Sequence, residues 1–152
     1  MKHVRTFENY DNMKLSDLAK HISNFLENFK DTSNFKVDNF KVDDGFVHEF
    51  YNVWFISPNR ENRVKYCIFS FTKFDYYYGD PDIYFKFKLD PGVKNVSYMN
   101  EETYNIVFFI DDIMNNYNKN QNMIAYSDIP NIINDISIEK YELFLNTKKY
   151  NL

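Results

Sequence analysis

The chain has 152 residues, 44% of them hydrophobic and 26% charged, with a net charge of −4. That length and balance fit one domain with its own core and exclude wholesale disorder. The acidic excess gives no overall electrostatic footprint for nucleic acid, so nucleic-acid binding is not expected, although a locally basic face can sit within the mixture.

Cys67 is the single cysteine, which excludes an intrachain disulfide and a cysteine-based zinc site. Within Tyr66-Cys67-Ile68-Phe69 it is expected to be a small buried hydrophobe. No apolar run approaches membrane-spanning length, and the N-terminus shows no apolar stretch of a secretory signal. The expected setting is therefore soluble, reducing and intracellular, with no membrane contact. Aromatic residues make up 20% of the chain against three glycines and three histidines, a balance that favours packing and binding over catalysis. Asn, Lys, Ile, Tyr and Phe, all with A/T-rich codons, are abundant while Ala and Arg are scarce, so part of the aromatic excess follows from genome composition.

A single domain is expected over 1–152, with 1–12 as an N-terminal arm. Leu15, Leu18, Ile22, Phe25, Leu26 and Phe29 follow helical spacing and predict a helix over Lys14 to Phe29, ended by Asp31-Thr32-Ser33-Asn34. A tandem repeat follows, Asn34-Phe35-Lys36-Val37-Asp38 and Asn39-Phe40-Lys41-Val42-Asp43. Its odd length puts Phe35 and Phe40 on opposite faces of a continuous strand. A kink near Asp38-Asn39, or pairing of the second copy alone, is therefore expected. Asp43-Asp44-Gly45 signals a hairpin, leading to a strand over Phe46 to Ile56 with bulky residues on both faces. After a polar turn, Arg63 to Phe74 predicts a third strand. Asp82 to Leu89 alternates most cleanly and predicts an outer strand, with Ile83, Phe85, Phe87 and Leu89 inward and Tyr84, Lys86 and Lys88 on the wet face.

Asp90-Pro91-Gly92 ends the sheet. A helix begins at Glu101 with Asn100 as N-cap, burying Ile106, Phe109, Ile110, Ile113 and Tyr117. Asn115 to Asn122 is an asparagine-rich loop. Ser127 or Asp128 caps a further helix with Pro130 in its first turn, and Ser137 restarts a last one with Ile138, Tyr141, Phe144 and Leu145 on its apolar side. The order predicts an α+β fold: an N-terminal helix, an antiparallel meander of about four strands, and two or three C-terminal helices packed on one sheet face.

His3, His21 and His48 are scattered, and no metal-binding or nucleophile motif joins them. Adjacent strand residues such as His48 and Glu49 face opposite ways. The paired carboxylates sit in turns (Asp43-Asp44, Asp80/Asp82) or on helices (Glu101-Glu102, Asp111-Asp112), where local hydrogen bonding and the helix dipole explain the first three pairs. Pro81-Asp82 with Lys86 and Lys88 lacks the further acidic residue of a nuclease strand. No cofactor or metal is expected. Tyr76, Tyr77 and Tyr78 beside Gly79-Asp80-Pro81-Asp82 cannot all face a core, so these tyrosines with Asp80 and Asp82 are the candidate interaction residues.

The opening Met1-Lys2-His3-Val4-Arg5-Thr6-Phe7-Glu8-Asn9-Tyr10 resembles the leader of small proteins of large-genome tailed bacteriophages, and the capsid-targeting peptide of phage internal head proteins. Such peptides are trimmed after a hydrophobic-x-Glu site, and here the nearest, Phe25-Leu26-Glu27, falls inside the predicted helix. The resemblance implies an accessory phage protein in the virion or the host cytoplasm, binding a virion or host protein. The alternative is a small metal-dependent hydrolase or nuclease whose carboxylates, Asp75, Asp80 or Asp82 beside Lys86 or His48, converge only in the fold.

Overall fold

A computed structural model describes residues 13–29, 35–43, 47–56, 65–74, 84–95, 100–118 and 123–150. Helix α1 (Leu15–Leu26) buries Leu15, Leu18, Ile22, Phe25 and Leu26, the stripe its spacing predicts. At its start the Asp17 carboxylate accepts from the Lys14 backbone N–H at 2.8 Å. It ends about a turn earlier than expected. The Asn28 side-chain amide donates to the Asn24 and Phe25 carbonyls at 3.2 and 3.1 Å, capping groups that a continuing helix would have used itself.

Four strands then form the expected antiparallel meander: β1 (Phe35–Asp43), β2 (Val47–Ile56), β3 (Lys65–Phe74) and β4 (Tyr84–Leu89). A fifth strand, β5 (Met123–Ala125), pairs with β4 through Tyr84↔Ala125, Phe85↔Ile124 and Lys86↔Met123. The fourth strand, expected at the outside of the sheet, is thus interior for half its length. The tandem repeat also departs from expectation. From Phe35 onward both copies lie in β1, which pairs without a shift from Phe35↔Phe55 to Asp43↔Val47. Backbone hydrogen bonding along a full-length partner strand is indifferent to side-chain phase, so neither a kink nor loss of the first copy follows.

The main irregularity lies in β3. Val53 pairs with Phe69 but the next residue, Trp54, pairs with Cys67, leaving Ile68 as an extra residue. This bulge resets the alternation, so Tyr66, Ile68, Phe69 and Phe71 all serve the core, with Tyr66 only partly buried. Strand β2 alternates around it: Tyr51, Val53 and Phe55 are buried and Asn52, Trp54 and Ile56 are half-buried.

Helix α2 (Glu101–Tyr117) starts where its Asn100 cap predicts, with Asn100 Oδ1 accepting from the Thr103 N–H at 2.8 Å. Helices α3 (Ile129–Asp135) and α4 (Ile138–Tyr150) follow, α3 carrying Pro130 in its first turn. Asp128 occupies the cap position of α3 without a side-chain cap bond, whereas Ser137 Oγ accepts from the Lys140 N–H at 3.2 Å. Tyr141 is buried on α4, but Ile138, expected on the same side, is exposed. All four helices contribute to one apolar cluster with the inner sheet face. Phe25 of α1, Phe109 of α2 and Tyr141 of α4 meet with centroids 5.3 to 6.2 Å apart, joining three helices through one aromatic contact. His21 of α1, protonated on Nε2, donates to the Ile136 carbonyl between α3 and α4 at 2.7 Å.

Phe85 is fully buried between Phe71 and Tyr126. Phe85→Ala should therefore cost about 3–5 kcal/mol in urea denaturation. A second prediction concerns Asp135, which accepts from the Tyr117 hydroxyl and the Lys140 ammonium, each at 2.5 Å. Burial raises its pKa, but the hydrogen bonds from Lys140 and Tyr117 and the Lys140 charge outweigh it and hold the carboxyl below its usual value. A depressed carboxyl stabilises the fold above its unfolded pKa of about 3.9, and that stability is lost as pH falls through the lower folded value. Asp135→Asn should lose about 1 kcal/mol at neutral pH and show a shallower fall in stability below about pH 4, followed by urea midpoints against pH.

Candidate functional site

With the helices on one side, the outer sheet face is built by cross-strand register. Asn52 pairs with Ser70 and Ser70 with Lys88, so amide, hydroxyl and ammonium lie in one row across three strands. The neighbouring row runs Phe50, Thr72, Lys86 and Met123. On the other side Trp54 pairs with Cys67. Rows on one face lie about 7 Å apart and neighbouring strands about 4.8 Å apart, so these side chains share one continuous surface. Lys86 and Lys88 are exposed, as the alternation of β4 predicts, and Asn52, Trp54, Ser70 and Thr72 are half-buried. Trp54 Nε1 is buried with no hydrogen-bond partner.

A cleft of about 270 Å³ opens on this face, lined by Asn52, Cys67, Ser70, Lys88 and Asp90 with the bulge residues Ile68 and Phe69. The bulge shapes it directly. The Ile68 carbonyl accepts from the Asp90 N–H at 2.9 Å, and the Phe69 carbonyl accepts from the Cys67 thiol at 3.3 Å. The Asp90 carboxylate is held from the side by the Tyr66 hydroxyl and, at 3.2 Å, by the Gly92 N–H. A Cβ at residue 92 would stand 3.1 Å from that carboxylate and 3.2 Å from the Tyr66 oxygen, so glycine permits the close approach.

Cys67 was expected to be buried as a core hydrophobe. The correction is that it is half-buried and lines the outer cleft, because the bulge sends Ile68 rather than Cys67 to the core. Burial still pushes its thiol pKa up, so it is a poor nucleophile at neutral pH.

Tyr76, Tyr77, Tyr78, Asp80 and Asp82 fall within 75–83, outside the described residues, as does Asp75 of the hydrolase alternative. The strands flanking that stretch are paired at Phe74↔Tyr84. Asn52, Ser70 and Asp90 were not singled out by the sequence. Their convergence comes from three strands and a bulge, and only the alternation of Lys86 and Lys88 hinted at this face. Among the described residues no group of three His, Cys, Asp or Glu side chains is placed to hold a metal ion. No helix of the described residues is long and apolar enough to cross a membrane. Comparison of the chain with protein-family models, curated proteins and solved structures finds no match.

The raised Cys67 pKa yields a measurable expectation. Alkylation of the folded protein should be slower than that of a free thiol near pH 8, and should accelerate as pH rises above the ordinary thiol value. Free-thiol rates at neutral pH in the folded chain would contradict the partial burial.

Proposed function

We propose that the chain is a non-enzymatic binding protein that engages a protein partner through the outer face of its sheet. The observation that carries this reading is one-sided burial. The helices cover the inner face, while the outer face presents half-buried Trp54 and Phe50 beside exposed Lys86 and Lys88. Aromatic rings with part of their area accessible, next to mobile cations, supply the contact area and the orienting charge of a protein interface. Tyr76, Tyr77 and Tyr78 with Asp80 and Asp82 enter as a second contact region on sequence grounds alone, their acidic turn adding specificity. The biological setting we propose is that of a phage accessory protein, virion-associated or a host-directed anti-defence inhibitor. Its support is the leader-like opening decapeptide.

The test blocks the face with bulk while leaving its charge intact. Ser70→Tyr with Thr72→Tyr should fold with an unchanged circular dichroism spectrum and lose the partner that the parent chain captures from host cells. Replacement of Tyr76, Tyr77 and Tyr78 by serine probes the second region in parallel. A partner retained at full stoichiometry by the blocked variant sinks the sheet-face reading.

A further inference from the structure

The outer face also carries a statement about what kind of segment it receives. Lys86 and Lys88 stand two residues apart on one face of β4, so their Cα atoms are separated by about 7 Å, the spacing of alternate residues in an extended chain. Beside Lys88, Ser70 and Asn52 add a hydroxyl and an amide, both able to donate to a carboxylate. The described outer-face positions of β2, β3 and β4 hold no carboxylate. On β1, Asp38 pairs with Asn52 at the far end of the row from Lys88. Asp90 lies at the margin of the cleft, and its Oδ2 is already engaged by Tyr66 and Gly92.

We infer that this face receives an extended acidic segment of a polypeptide partner, with one carboxylate side chain entering the cleft beside Lys88, Ser70 and Asn52 and another, two residues away, meeting Lys86. The inference rests on the reading of the outer face as a docking surface and deepens it by naming the partner's chemistry. A cleft of about 270 Å³ is of the size that takes a side chain. The chain's net charge of −4 works against a long polyphosphate backbone, which is repelled along its whole length, and much less against a short acidic stretch that meets only a local pair of lysines. An acidic protein with a small basic face also gains specificity, since like-charged surfaces around the site discourage misplaced docking.

Trp54 is the only tryptophan and lies in the row next to the cleft, so its emission reports occupancy. The full chain is titrated with poly-L-glutamate at low ionic strength, with oligothymidylate as the comparison polyanion. Poly-L-glutamate should shift Trp54 emission saturably, and Lys86→Gln with Lys88→Gln should weaken binding by about tenfold or more. Both lysines are exposed, so the double variant is expected to keep its fold. Absence of a saturable shift, equal binding by the double variant, or tighter binding of oligothymidylate would each overturn the inference. The two readings fail separately. A cellular partner lost with Ser70→Tyr and Thr72→Tyr but kept with the lysine-to-glutamine pair leaves the docking face standing and removes its acidic ligand.

Discussion

The extra residue Ile68 in β3 is the constraint on which both faces of the sheet depend. In a regular strand, Tyr66 and Ile68 would share one face while Phe69 and Phe71 took the other. Either choice would leave two large apolar side chains away from the helices. Fully burying one such side chain contributes about 1.5–3 kcal/mol, more than the local loss of ladder regularity at one bulge. The bulge brings both pairs to the helical layer, and its carbonyls are not left unpaired: Asp90 N–H serves Ile68 and the Cys67 thiol serves Phe69.

From that local event the site follows. The same phase change that buries Ile68 turns Cys67 outward, and the hydrogen bond to Asp90 brings the end of β4 against the bulge. The Asn52–Ser70–Lys88 row lies immediately beyond it in regular register. Cleft and core are therefore two consequences of one backbone irregularity. On the inner side the helices are held by rings from three elements, with Phe25, Phe109 and Tyr141 in mutual contact. Much of the aromatic excess is absorbed there, and the Phe69, Phe71, Phe85 and Phe87 rings add a second such group on the sheet.

Sequence and structure agree where a pattern is local. The α1 stripe, the Asn100 cap and the Lys86/Lys88 alternation each depend on residues within one element, where helical or strand periodicity alone decides the facing. They part where pairing between elements decides. Met123–Ala125 has three residues and no pattern of its own, and becomes a strand only because Tyr84, Phe85 and Lys86 offer an edge to it. The five-residue repeat in β1 stays straight because β2 supplies partners for all nine residues. The end of α1 was set by the Asn28 side chain, a cap that a hydrophobic stripe extending to Phe29 conceals.

The sequence by itself determined the class of fold, the order of its elements, and the wet lysine face of β4, because spacing along one chain is enough to specify them. The candidate site was legible only in those two lysines. Placement of Asn52, Ser70, Lys88 and Asp90 around one cleft was decided by tertiary structure, since cross-strand register and a bulge join positions up to thirty-eight residues apart that share no local pattern.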